Sequence, residues 1–273
     1  MREVQVRDQP ASASTLLALL GVAVLLPVLV IALLILPVWA ALVVSVVAAA
    51  VASWIAWSRA TTTVRRLSGG SPADPVRHAR LLNIVDGLCL AAGVQAPNVD
   101  VVEDAAANAL VAGRSERDAV IVVTSGLLEA LDRVELEGAI AHQLVQLRDP
   151  SLGSATVAVT TVGLPVLLAD RLGRTGGSGQ RRPRPIRLGV GVDRQTWSDL
   201  DAVSLTRYPP GLIGAYEDCE RVGTVLASAS TATAHLWMAP PIATSVRTAG
   251  EADRDGEPRE RDLAERIDIL REL

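Results

Sequence analysis

The stretch "LEGAIAHQLVQLRD" (Leu136–Asp149) is helical in pattern and carries a polar motif in its middle. Asp132 precedes it as a cap, with Glu135 as the capping-box partner, so the helix is expected to run to about Arg148. Residues four apart on a helix share a face. His142 and Gln146 therefore project together, with Gln143 beside them. Upstream lie three short β-type runs, 98–103 ("NVDVVE"), 108–113 ("NALVAG") and 119–124 ("AVIVVT"), divided by polar turns such as "RSERD" at 114–118. A short helix, "SGLLEAL", follows at 125–131. Earlier still, Val76, Leu81, Ile84, Val85, Leu88 and Ala91 make one face of a helix over 74–93, stopped by Gly93. Downstream, helices are expected at 194–207 and 210–226, parted by the prolines at 209–210, and an amphipathic helix closes the chain at 262–273. The order predicts an α+β domain, mostly helical with a small β-sheet, in two halves at 59–150 and 193–273.

Ahead of this domain, residues 15–58 carry no charged side chain. About 20 apolar residues span a bilayer, so the run is long enough for two helices. Pro37 is a natural break, and Trp39, Trp54 and Trp57 lie where an interfacial aromatic belt belongs. A transmembrane hairpin with spans at about 16–36 and 38–57 follows. Arg2 and Arg7 precede it and Arg59, Arg65 and Arg66 follow it, so the positive-inside rule puts the short N-terminal segment (1–14) and the domain on the cytoplasmic side of a bacterial plasma membrane. A third apolar run, "SLGSATVAVTTVGLPVLLA", occupies 151–169. The Gly-, Pro- and Arg-rich segment 171–192 reads as a linker, and 247–262 as a charged loop.

The 273-residue chain is 49% hydrophobic with a formal net charge of -4, which argues against a nucleic-acid footprint. It contains no lysine and no phenylalanine, a composition that fits codon usage in a GC-rich bacterial genome. Cys89 and Cys219 are far apart within helical sequence and read as buried free thiols.

In the zinc-peptidase frame H-E-x-x-H, two histidines on one helix face reach the same metal while the glutamate acts as base on metal-bound water. Here that frame reads His142-Gln143-Leu144-Val145-Gln146. Alone it would say little. Its surroundings say more: "PNVDVVEDAAANALVAGRSERDAVIVVTSGLLEALDRVELEGAIAH" (97–142), "LRD" (147–149), "LTRYPPGLIGAYEDC" (205–219), "TAHLWMAPP" (233–241) and "LAERIDILREL" (263–273). Through these stretches the chain resembles the M48 family of membrane metallopeptidases, of the HtpX/Ste24-like type. The resemblance implies a zincin-like peptidase domain attached to the hairpin.

Carried onto this sequence, the resemblance puts the first zinc histidine on His142, which is kept. The glutamate base falls on Gln143 and the second zinc histidine on Gln146. The third ligand, a glutamate in an E-x-x-x-D frame, falls on Trp197, with the aspartate on Asp201, expected to hydrogen-bond His142. A histidine near the substrate falls on Glu260, and a C-terminal arginine survives as Arg266. Glutamine cannot take up a proton at neutral pH, and indole has no lone pair to offer a metal. His142, Gln143, Gln146, Trp197, Asp201 and Arg266 are therefore expected to be remnants of a degenerate site, with no catalytic residue and no metal ligand. The only other histidines are His78 and His235. The family's single cytoplasmic domain also implies that 151–169 dips into the membrane or lies along it, because a crossing would separate the two halves.

The expected function is that of a membrane-anchored, catalytically inactive pseudo-peptidase. It would bind membrane-protein or peptide clients, or regulate an active protease paralogue, with no cofactor. The alternative is an active zinc metalloendopeptidase in membrane-protein quality control, which would need zinc. A purely structural membrane protein is the third class.

Overall fold

The computed structural model describes residues 12–163, 165, 194–227, 229–242 and 263–273. The expected linker, the charged loop and Glu260 lie outside the described residues, as does most of the last part of the third apolar run.

The chain begins with two long apolar helices. Helix α1 (Ala13–Leu33) starts where the Ser12 hydroxyl accepts the Thr15 N–H (3.2 Å). Pro37 caps α2 (Val38–Ser68), which continues past the expected end of the apolar span to Gly69, whose φ of 72° closes it in the left-handed region. An 18-residue stretch of each is strongly apolar, with mean hydropathy 3.1 in α1 and 2.3 in α2. Ala41, Ser45 and Ala49 are buried along one side of α2, and small residues there let the backbones approach. The Ser53 hydroxyl donates to the Leu17 carbonyl across the hairpin (3.2 Å). Leu26, Val30, Trp39 and Trp54 stay exposed, a surface suited to lipid.

The extra turns of α2 join hairpin to domain. Arg65 binds Asp100 through two hydrogen bonds (2.6 and 2.7 Å), and the Thr61 hydroxyl donates to Asp118 (3.0 Å). The Arg114 guanidinium lies over the Trp57 ring, 5.3 Å from its centre. The sheet has the order β1-β2-β4-β3, with β1 at Ser71–Pro72, β2 at Asn98–Val102, β3 at Ala109–Ala112 and β4 at Val120–Thr124. Strands β2 and β4 run parallel, and the other pairs are antiparallel. β3 and β4 are buried along their whole length, so they read as continuous apolar runs without alternation.

Helix α3 (Ala79–Ala92) begins later than the apolar pattern suggests. The Asp74 carboxylate accepts the N–H groups of Val76 (2.8 Å) and Arg77 (2.7 Å) and winds the preceding residues into a turn. After α4 (Ser125–Ala130) comes α5 (Arg133–Leu147), the motif helix, opened by the expected capping box between Asp132 and Glu135. The described part of the third apolar run is α6 (Ser151–Ala158), followed by one π-type turn (Val159–Gly163). It is buried between hairpin and sheet: the Thr156 hydroxyl accepts the Gly113 N–H (3.0 Å) and the Thr160 hydroxyl donates to the Ala56 carbonyl (3.0 Å).

The second half supplies α7 (Arg194–Thr206), α8 (Pro209–Val222) and α9 (Leu263–Arg271). Helices α5 and α8 cross at glycine. A Cβ on Gly138 would sit 2.6 Å from the Leu212 nitrogen, and one on Gly211 would sit 2.8 Å from the Val134 oxygen. Gly138→Ala is therefore expected to destabilise the protein by about 1–3 kcal/mol through overpacking against backbone. An unchanged thermal midpoint in detergent would show that the crossing is looser than this.

Candidate functional site

The motif helix turns its polar residues inward. His142, Gln143 and Gln146 are all buried, His142 and Gln143 completely. The His142 Nδ1 lies 2.8 Å from the Asp199 carboxylate, an acceptor only, so this nitrogen carries the proton and donates. The lone pair on Nε2 is then free to accept, and it takes an N–H of the Gln146 amide at 2.7 Å. That lone pair is the one a histidine offers to a metal. Gln146 occupies it from one helical turn away.

Behind the histidine lies a buried ion pair. Arg266 reaches from α9 and binds Asp199 bidentately, Nε to Oδ2 and Nη2 to Oδ1, both at 2.7 Å. Its Nη1 donates to the Gln195 side chain (2.6 Å) and to the Met238 carbonyl (2.8 Å). The guanidinium stacks over the Tyr216 ring, 4.4 Å from its centre, and the Tyr216 hydroxyl donates to Asp199. Burial would push the Asp199 carboxyl up, but Arg266 and His142 outweigh it and hold the group well below the usual carboxylate range. Burial also pushes the Tyr216 phenol far above its ordinary value, so it stays protonated.

The structure corrects the register of α7. Trp197 does not approach His142: it is 53% exposed, and Asp201 is exposed as well. Asp199 is the aspartate that holds His142, and an E-x-x-x-D frame ending there begins at Gln195. The displacement is two residues, about 200° of helix rotation, which exchanges the inner and outer faces. The cause is physical: Ser198, Asp199 and Ala202 are the buried face of this helix, and the bond to Arg266 pins it there. Trp197 and Asp201 instead line an open groove of about 460 Å3 beside Leu144, Arg148 and Leu205. Arg266 is where the resemblance placed it in sequence, and it proves to be the buried hub of the site. Tyr216 was not singled out from the sequence. Its signal was a lone aromatic on the apolar side of "GLIGAYEDC".

Zinc needs three protein ligands and an open position, and these residues do not supply them. His142 gives its lone pair to Gln146. Gln195 accepts from Arg266 and donates to the Trp237 carbonyl (3.0 Å). Gln143 is a neutral amide whose nitrogen and oxygen have no hydrogen-bond partner among the described residues. Among the described residues no group of three or more His, Cys, Asp or Glu side chains could hold a metal. The other histidines serve the backbone: His78 Nδ1 accepts the Asp74 N–H (2.9 Å), and His235 Nε2 meets the Ala155 carbonyl (2.9 Å). Both cysteines are buried and unbridged. Burial, with Asp218 nearby, pushes the Cys219 thiol up to about 12, and burial with Asp86 raises Cys89, so neither is a thiolate nucleophile at neutral pH.

Two comparisons place the chain among known proteins. Residues 75–145 match the model for peptidase family M48. The chain is 31% identical over 212 residues to the "Protease HtpX homolog" of Dictyoglomus thermophilum, covering 70% of each sequence. It is 30% identical over 218 residues to that of Thermoanaerobacter pseudethanolicus, covering 70% of this chain and 73% of the relative. No solved structure gives a significant match.

Because the Asp199 carboxyl is depressed in the folded state, its stabilisation is present above the unfolded value of about 3.9 and is lost as pH falls below it. Arg266→Met reverses the sign. It strands a buried carboxylate at a cost of about 3–5 kcal/mol at neutral pH, and that carboxyl then protonates more easily folded than unfolded. The deficit against wild type should shrink as pH falls from 7 towards 5, as followed by thermal melting. A constant deficit across that range would show that Asp199 is not the group left exposed.

Proposed function

The chain belongs to peptidase family M48, among its HtpX-like members, and from that premise we propose that it is a membrane-anchored pseudo-peptidase. Its apolar hairpin holds the domain at the membrane, and the peptidase scaffold binds membrane-protein or peptide clients without cutting them.

The observation that carries this reading is the Gln146–His142 hydrogen bond at the heart of the site. It is supported by charge. Removing a dication from a buried site that keeps two carboxylates would leave both uncompensated, at a cost of several kcal/mol per ion. At the base position stands Gln143, and at the third-ligand position of the corrected frame stands Gln195. Both are neutral amides of nearly glutamate shape. Two lost negative charges match two lost positive charges, and the Gln146 N–H satisfies the lone pair that remains. A site merely damaged by chance substitution has no reason to balance.

Hydrolysis also needs a base that takes a proton, and none is present at this position. The groove beside the site, walled by exposed Trp197, offers a client an aromatic contact that does not depend on the lost chemistry.

The purified full chain, supplied with zinc, should cleave neither casein nor a detergent-solubilised membrane protein faster than its His142→Ala variant. Crosslinking should meanwhile recover intact client on the domain. Cleavage that EDTA abolishes and His142→Ala removes would establish an active metalloendopeptidase instead.

A further inference from the structure

A second cavity, also of about 460 Å3, opens where the hairpin meets the domain. Its main wall is a single face of α2. Leu20 of α1 with Ala52 and Ile55 form an apolar end, and Arg59, Thr63 and Arg66 form a polar end beyond them. The change from apolar to cationic falls at the level of Trp54 and Trp57, side chains that settle at headgroup depth.

The arginines of α2 divide by face. Arg65 is spent on Asp100, and Thr61 and Trp57 on the same side meet Asp118 and Arg114, so that side belongs to the domain. Arg59 and Arg66 point away from it. Both are exposed, and neither has an acidic partner among the described residues, whose ion pairs take other arginines. They stand seven residues apart, a rise of about 10 Å along the helix. Long arginine side chains can converge across that distance on one anion between them. Two cations without an acidic partner among the described residues, set above an apolar slot, are complementary to a molecule with a negative head and a hydrocarbon tail.

We propose that this cavity is a binding site for an anionic phospholipid. The phosphate sits between Arg59 and Arg66 with Thr63 as a further donor, and an acyl chain runs along Leu20, Ala52 and Ile55. A basic pocket at the membrane-facing end of helices is a recurrent form of lipid headgroup site. Free phosphate would gain nothing from the apolar end, and a zwitterionic lipid would bring its own cation to the two arginines. The site is independent of whether the domain cleaves its clients.

The test uses the full chain in neutral detergent, with lipid retention followed by native mass spectrometry and thermal melting. The probes are phosphatidylglycerol, phosphatidylcholine and inorganic phosphate at equal concentration. Phosphatidylglycerol alone should bind and stabilise. Arg59→Gln and Arg66→Gln should each weaken it about fivefold, and together about 30-fold. Arg77→Gln, which removes an exposed charge paired with Glu103 away from the cavity, should leave binding unchanged. If the double variant does not fold, as judged by circular dichroism, the single variants carry the comparison. Equal stabilisation by phosphatidylcholine or by inorganic phosphate would overturn the proposal, as would undiminished phosphatidylglycerol binding in the arginine variants.

Discussion

The bidentate pair between Asp199 and Arg266 is the contact on which the rest of the site depends. Its partners come from separate parts of the chain: α7 brings Asp199 and Gln195, α9 brings Arg266, α8 brings Tyr216, and α5 brings His142. A buried pair of this kind is weak evidence for net stability, because desolvation offsets the attraction. Its effect is on geometry. A carboxylate that must face one guanidinium permits only one rotation of α7, and that rotation decides which residues meet the histidine. Every donor on the guanidinium has an acceptor, and the Asp199 oxygens also receive the Tyr216 hydroxyl and the His142 N–H. Satisfied networks tend to specify a single arrangement.

That frame holds the motif histidine in a fixed orientation. The imidazole is still oriented by an aspartate, as a metal-bound histidine commonly is, but its other nitrogen faces an amide donor. Gln195 belongs to the arginine network, whereas the Gln143 amide has no hydrogen-bond partner among the described residues. An unsatisfied buried amide costs about 1–3 kcal/mol, so Gln143 is held at this position at a cost in stability.

Much of the fold was legible because it rests on local physics. The capping box at Asp132 and Glu135, the uncharged run broken at Pro37 and the apolar runs of β2 to β4 each announce an element without knowledge of the others. The two-residue strand at Ser71–Pro72 carries no pattern to find, and the onset of α3 is set by an Asp74 turn that competes with the helical periodicity. The error in the site had a different origin. Trp197 and Asp201 fit the spacing as well as Gln195 and Asp199 do, since a spacing rule does not know which way a helix faces. Arg266 decides it, from 67 residues further along the chain. Information of that range is absent from any window around the motif.

The hairpin is not a detachable anchor. Through Arg65, Thr61 and Trp57 the second apolar helix runs directly into the core of the domain, and the buried turn at 159–163 fills the angle between them. Position at the membrane and shape of the domain are thus set together. The central claim concerns the metal, and zinc per chain tests it most directly, measured by mass spectrometry on detergent-purified protein beside a His142→Ala variant. Zinc near zero in both is the expected result. One zinc per chain in the wild type, lost in the variant, would contradict it and would mean that ligands other than those described complete the site.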